Sequence, residues 1–140
     1  MSGGVAVAVL AGVLAVTVLL GLILRTRGGR ARASSAGTVA DLAAPDAFGE
    51  RATLIQFSTP TCARCPSTAR RLDRLAAEHP GVRRLEIDLE EHRHLIGRFD
   101  VRQTPTVLVV DRRNAVRTQI SGVPREPELV AALHAVLNEE

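Results

Sequence analysis

Two cysteines separated by two residues are the chemically reactive feature of this sequence. Cys62 and Cys65 lie in the segment FSTPTCARCPSTARR, and the chain contains no other cysteine. Two thiols at this spacing interconvert between a dithiol and a disulfide with little backbone movement, which suits a redox couple. The same pair could instead be half of a metal site or two small core residues, although structural cysteines do not require this spacing.

The elements on either side of the pair determine its reactivity. Residues 52–57 (ATLIQF) form a short apolar run that predicts a buried strand, and residues 62–78 carry apolar residues at helical spacing. Cys62 is thus predicted at the N-terminus of a helix, where unpaired backbone N–H groups and the helix dipole favour a thiolate. Arg64 adds a positive charge that should further favour the thiolate and hence the reduced form.

A zinc site is the alternative that needs additional residues. Tetrahedral zinc would require Cys62 and Cys65 to converge with His92 and His94. The predicted order of elements places the two histidines on a separate helix at the other end of a strand, away from the cysteines. The redox couple is therefore the preferred interpretation, and no metal ligand is predicted.

The rest of the C-terminal part continues the alternation of strands and helices. A strand, a short helix, two hairpin strands and a closing helix are predicted at residues 82–89, 91–99, 106–110, 115–121 and 127–138. Strands joined through helices are expected to run parallel, and the hairpin adds an antiparallel strand. The sequence therefore predicts an α/β fold, in which a mixed sheet has helices on both faces.

The first 24 residues have a different character and precede this fold. Residues 5–24 form an uncharged run of 20 mostly apolar residues. At about 1.5 Å per residue, the run spans a hydrocarbon core of about 30 Å. A cleaved signal peptide is the alternative. No basic residue precedes the run and no clear cleavage site follows it, so a retained transmembrane anchor at residues 1–24 is predicted.

A basic segment follows the anchor. Residues 25–37 (RTRGGRARASSAG) contain no apolar pattern and are predicted to be a flexible linker to a domain at residues 38–140. The segment holds four arginines, and the positive-inside rule places the domain in the cytoplasm, with export as the alternative. The remaining fourteen basic residues nearly balance fifteen acidic ones, so the net charge of +3 gives no support to nucleic-acid binding.

The C-terminal part resembles the thioredoxin family in several features that occur in register. These are the C-x-x-C pair, the RLEID strand at residues 84–88, the FDVRQTPTVLVVD segment at residues 99–111, and Gly122. The resemblance implies that Pro105 follows a cis peptide bond and lies against the cysteine pair. It also implies that Thr104 offers its backbone groups to an extended polypeptide and so positions a substrate disulfide.

Departures from the family pattern affect the predicted chemistry. Thr61 stands where thioredoxins usually have tryptophan, and Ala63-Arg64 replaces the usual Gly-Pro. Gln56 replaces a buried aspartate that assists deprotonation of the second cysteine, and an amide cannot accept a proton at neutral pH. Release of mixed disulfides through the second cysteine is therefore predicted to lack that base. The N-terminal strand and helix of full-length thioredoxins are not expected in the short segment 38–49.

These features identify the chain as a membrane-anchored, thioredoxin-like thiol–disulfide oxidoreductase. In this hypothesis Cys62 attacks a substrate disulfide and Cys65 resolves the mixed disulfide, while Arg64 and Gln56 tune the reactivity of the pair. No bound cofactor is implied, because the two sulfurs carry the electrons. The expected partners are a disulfide-containing protein substrate, a thiol reductase as electron donor, and the membrane. Two alternatives stay open: an exported reductase of the cytochrome-maturation type, and a non-catalytic thioredoxin-like binding module.

Overall fold

The computed structural model describes residues 2–27, 31–33 and 37–139. Its first element is helix α1 (Ser2–Arg27), which continues three residues beyond the predicted end of the anchor at Leu24. The side chains described along α1 are exposed, and the segment Ser2–Thr26 is long and apolar enough to cross a membrane. A signal sequence has the same properties, so α1 is a candidate membrane span or signal sequence.

Five strands form one mixed sheet. In chain order they are β1 (Ala31–Ala33), β2 (Ala52–Ser58), β3 (Val82–Asp88), β4 (Thr106–Asp111) and β5 (Val116–Ser121). Their spatial order is β1-β5-β4-β2-β3, and the sheet is mixed, as predicted. Only the pair of β2 and β3 is parallel among the described strands. Because β2 is buried at every position, its apolar residues do not alternate with exposed polar ones.

The direction of β4 differs from the sequence-based prediction. Strands joined through helices were expected to run parallel, but β4 is antiparallel to β2, with Thr106 opposite Phe57. The prediction is wrong because the intervening helix α3 (His94–Arg98) has only five residues and rises about 7.5 Å. The seven-residue strand β3 extends about 23 Å. The connection therefore does not return along the sheet, and β4 starts at the end where β3 finishes.

Helices cover both faces of the sheet, as predicted. Helices α2 (Cys65–Glu78) and α4 (Glu126–Leu137) pack in an apolar cluster that contains Leu54 of β2. Helix α3 contributes Leu95 to a second cluster, which contains Ile55 of β2. Neighbouring residues of a strand point to opposite faces, so the two clusters lie on opposite faces of the sheet.

Part of the predicted flexible linker is a strand. The segment Ala31–Ala33 forms β1 and pairs with β5 in antiparallel register, with Ala31 opposite Ile120. All three residues of β1 are exposed, so backbone pairing holds the strand and no apolar pattern marks it in the sequence. The sheet therefore has an N-terminal strand that the sequence did not predict. Residues 38–49 contain a short 3-10 turn (Pro45–Ala47).

Candidate redox site

Cys62 and Cys65 form a disulfide beyond the last residue of β2, at one end of the sheet that we call the redox end, with their Cα atoms 5.5 Å apart. Cys62 is half-buried, whereas Cys65 is 4% exposed. The two cysteines therefore differ in exposure, and Cys62 is the more accessible of the two. The sequence predicts Cys62 at the N-terminus of a helix. Helix α2 begins instead at Cys65, so Cys62 lies three residues before its first residue.

Backbone hydrogen bonds shape the segment between β2 and α2. The N–H of Cys62 donates to the carbonyl of Thr59 over 3.1 Å, and the N–H of Cys65 donates to the carbonyl of Cys62 over 3.4 Å. Arg64 precedes the first helical residue, and its carbonyl accepts hydrogen bonds from the N–H and the hydroxyl of Thr68 at 3.1 and 3.0 Å. The backbone of Arg64 thus begins the helix while its exposed side chain carries a positive charge beside the pair.

Gln56 connects the sheet to the cysteine pair. Its side chain is completely buried in β2, and Nε2 donates to the carbonyl oxygen of Cys65 over 2.9 Å. Because a carbonyl only accepts hydrogen bonds, this contact fixes which amide atom is Nε2. The other atom, Oε1, is buried without a hydrogen-bond partner among the described residues. Gln56 therefore holds the start of α2 and supplies no group that exchanges a proton near neutral pH.

The loop that precedes β4 lies at the same end of the sheet. The Thr104–Pro105 peptide bond is cis, and the next residue, Thr106, pairs with Phe57 near the end of β2. The carbonyl of Pro105 accepts a hydrogen bond from the N–H of Gly122 over 2.8 Å. Gly122 has a φ of +83°, which favours glycine. In the part of the chain that the structure describes, the backbone N–H and C=O of Thr104 have no hydrogen-bond partner.

A buried amide that the sequence analysis missed holds the start of this loop. Gln119 of β5 is 4% exposed, and its Nε2 donates to the carbonyl oxygen of Phe99 over 2.9 Å. The available signal was a polar residue inside a predicted strand, since a buried polar group needs a hydrogen-bond partner. This hydrogen bond thus ties the start of the loop to β5.

His92 and His94 follow the end of β3, which runs parallel to β2, so they lie at the same end of the sheet as the cysteine pair and not, as the sequence predicted, at the other end. The rings of His92 and His94, beside α3, are 6.3 Å apart. His79, at the end of α2, contacts His134 of α4 with their Nε2 atoms 3.3 Å apart. Across residues 2–27, 31–33 and 37–139, no group of three or more His, Cys, Asp or Glu side chains could hold a metal ion. The structure therefore does not assemble the zinc ligands of the alternative interpretation.

Three ion pairs, made by two arginines, hold the scaffold around the site. Arg84 of β3 lies 2.6 Å from Asp73 of α2 and 2.9 Å from Glu86. Burial works to lower the pKa of Arg84, but the hydrogen bonds to Asp73 and Glu86 raise it above its ordinary value. Arg98 of α3 pairs with Asp41 at 2.6 Å, and the hydrogen bond from Arg98 lowers the pKa of the Asp41 carboxyl. These contacts join α2 to the sheet and α3 to the segment that precedes β2.

Similarity to known proteins covers most of the domain described above. The family model with the description Thioredoxin matches residues 44–135, which include both cysteines. A thioredoxin of Haemophilus influenzae is 32% identical over 73 residues, which are 51% of this chain and 68% of that protein. The long form of spinach chloroplast thioredoxin f is 25% identical, with a TM-score of 0.55 over 63% of this chain and 72% of its own. Thioredoxin f2, from a structure of its complex with ferredoxin:thioredoxin reductase, is 20% identical, with a TM-score of 0.54 over 62% and 78%.

Proposed function

The chain belongs to the thioredoxin family and is a thiol–disulfide oxidoreductase, and from this premise we propose that it reduces disulfides of protein substrates close to a membrane. The observation that carries the proposal is the unequal exposure of the two cysteines, with Cys62 half-buried and Cys65 4% exposed. The accessible sulfur is the attacking group of the reduced enzyme. The buried sulfur completes the exchange within the molecule.

The reaction consists of two successive thiolate attacks. The Cys62 thiolate attacks one sulfur of the substrate disulfide, so that a Cys62–substrate bond forms and the other substrate sulfur leaves and takes up a proton. Cys65 then loses its proton to solvent and attacks Sγ of Cys62, which releases the second substrate sulfur. Two electrons pass to the substrate, which becomes a dithiol, and the enzyme is left as the Cys62–Cys65 disulfide.

The groups around the sulfurs have separate roles in this proposal. The unpartnered N–H and C=O of Thr104, beside Pro105, support pairing with an extended substrate segment in the manner of an added strand. The exposed positive charge of Arg64 favours the attacking thiolate. Gln56 holds the backbone of Cys65 and provides no base, so solvent takes the proton of the resolving thiol.

Regeneration of the dithiol requires an electron donor of matching chemistry. A thiol reductase would reduce the Cys62–Cys65 disulfide by the same exchange in reverse, with two electrons and two protons passing to the enzyme. The related thioredoxin f2 forms a complex with a reductase, which supports this class of partner. The sulfurs themselves carry the electrons, so the proposed cycle includes no bound cofactor.

We propose that α1 is a retained anchor and that the domain that follows it lies in the cytoplasm. Four arginines follow the apolar run, and no basic side chain precedes it, which is the asymmetry of the positive-inside rule. In intact cells, a membrane-permeant maleimide should label Cys62 and an impermeant one should not. Labelling of Cys62 by the impermeant reagent would place the domain outside and favour the exported reductase.

The variants Cys65→Ser and Cys62→Ser test the assigned roles of the two sulfurs. Cys65→Ser removes the resolving thiol, so the full chain should accumulate covalent adducts with disulfide-bonded proteins, and a reducing agent should release them. Cys62→Ser makes the same change three residues earlier and should give no adduct. Equal adducts from both variants would contradict the assigned order of attack. No adduct from either variant would contradict the reduction of protein disulfides.

A further inference from the structure

The strand register fixes the end of the sheet at which the chain arrives from α1. Ala31 pairs with Ile120, Ile120 pairs with Val107, and Val107 pairs with Gln56. Strand β1 is antiparallel to β5, and β5 runs toward the end of the sheet where β4 begins. Strand β1 therefore begins at the end of the sheet that carries Cys62.

The connection between α1 and β1 is short. Helix α1 ends at Arg27, and Ala31 follows four residues later, a span of at most about 14 Å. Cys62 comes after the end of β2 and so lies beyond the row of Gln56 and Ala31, on the side of α1. The redox pair and the end of α1 thus lie at the same end of the sheet, and at most about 14 Å separates the end of α1 from Ala31.

Side-chain contacts hold the end of α1 at the redox end of the domain. The guanidinium of Arg125 donates to the carbonyl of Thr26 over 3.0 Å. Glu128 accepts a hydrogen bond from the N–H of Ala31 over 2.7 Å. Both side chains belong to the start of α4, which follows β5 and Gly122 at the redox end. The last turn of α1 is therefore tied to the part of the domain that contains the cysteine pair.

We propose that the redox site faces the membrane surface and that its substrates are disulfides in extended, membrane-proximal segments of membrane proteins. This inference rests on the proposed function, in which α1 spans the membrane. A gap of at most about 14 Å between the end of α1 and the start of β1 admits an extended chain, because paired strands lie about 5 Å apart and stacked sheets about 10 Å apart. It excludes a folded domain, since a domain of 100 residues has a radius of gyration of about 13 Å and a diameter at least twice as large.

The test compares two disulfides at different heights above a bilayer. The full chain, reduced beforehand, is reconstituted in lipid nanodiscs with a single-span peptide that carries one disulfide-closed loop in its tail. The loop either adjoins the bilayer or follows a helical spacer of about 30 residues, which extends about 45 Å. The near disulfide should be reduced at least about tenfold faster, because only there does the shared membrane raise its effective concentration at the site. Equal rates would overturn the inference.

An insertion variant and a soluble peptide complete the test. A Gly/Ser insertion of about twelve residues between Arg27 and Ala31 adds about 20 Å of reach, so the near and far rates should then agree within about threefold. A preference for the near disulfide that persists in this variant would also overturn the inference. The same disulfide loop on a soluble peptide separates the two proposals. If the wild type does not reduce it, the proposed function fails; if it does, equal near and far rates count against the membrane-facing site alone.

Discussion

Replacement of Gln56 by methionine should stabilise the protein even though it removes a hydrogen bond. The bond from Nε2 to the carbonyl of Cys65, at 2.9 Å, contributes about 0.5–1.5 kcal/mol. Without it, that carbonyl still accepts a backbone hydrogen bond within α2. Oε1, buried without a partner among the described residues, costs about 1–3 kcal/mol. Methionine has a similar length and adapts to small gaps. The net gain is about 1 kcal/mol, which raises Tm by about 4–8 °C for a domain of this size.

Thermal unfolding of the full chain in detergent micelles measures this change. Gln56→Glu is the matched control, because it preserves the shape of the side chain and replaces the amide with a carboxyl. At a position without exposed surface, burial disfavours the charged carboxylate and raises its pKa in the folded state. The folded state of this variant then binds more protons than the unfolded state, so its stability should fall as the pH rises toward neutral.

The same variants test whether Gln56 takes part in proton transfer. Gln56→Met should leave the rate at which Cys65 resolves a mixed disulfide within about threefold of wild type, because the amide exchanges no proton. The carboxylate of Gln56→Glu can act as a base, a role that contributes about 10²–10⁴-fold, so stopped-flow resolution should be at least about tenfold faster. A Tm of Gln56→Met lower than wild type by more than about 4 °C would refute the reasoning, since Oε1 would then be satisfied in the folded protein.

Three further predictions concern the scaffold. Gly122→Ala should destabilise the protein by about 1–2 kcal/mol in urea unfolding, because φ at this position is +83°. Gly97→Ala, where a Cβ meets open space in α3, should instead stabilise it by up to about 1 kcal/mol, and equal losses would contradict the argument. Asp41→Asn should make the free energy of unfolding depend less on pH in the acidic range. The hydrogen bond from Arg98 lowers the pKa of Asp41 below its ordinary value of 3.8. The ionised Asp41 of the wild type therefore stabilises the fold above that pH, and this contribution is lost on acidification. Identical pH dependence of the unfolding free energy in both proteins would contradict this. Arg84→Gln should cost about 0.5–1 kcal/mol, discounted for the exposure of its acidic partners, and an unchanged urea midpoint would show that the ion pairs contribute nothing.

The cysteine pair and its flanking elements could be predicted because local sequence determines them. An apolar run, a C-x-x-C pair and an amphipathic segment follow one another without interruption. The spacing of the apolar residues alone therefore places the pair between a strand and a helix. The boundary was less certain, since α2 begins at Cys65 rather than at Cys62. The hairpin turn at residues 111–114 was likewise local: Oδ1 of Asp111 accepts hydrogen bonds from the N–H groups of Arg113 and Ala115.

Features that depend on distant segments could not be predicted. Strand β1 is exposed at all three residues and is held by the edge of β5 and by Glu128, both far away in the sequence. The direction of β4 follows from the length of α3, a quantity that periodicity places only to within a few residues. Gln119 reaches Phe99 across 20 positions of the chain, and no local pattern states which backbone group a buried amide will meet. The redox end lies toward α1 because of the register in which β1 pairs with β5. This register joins segments that are far apart in the sequence, so it could not be predicted either.

The reduction potential of the Cys62–Cys65 couple tests the central claim most directly. The full chain is equilibrated in glutathione or dithiothreitol buffers, and the fractions of dithiol and disulfide are measured. Known couples run from about −270 mV for thioredoxin to about −120 mV for strong oxidants. A reductase of protein disulfides should have a potential below about −200 mV. A value near −120 mV would contradict the account, because the protein would then form disulfides in its substrates, and absence of the disulfide across the whole range would contradict any redox role.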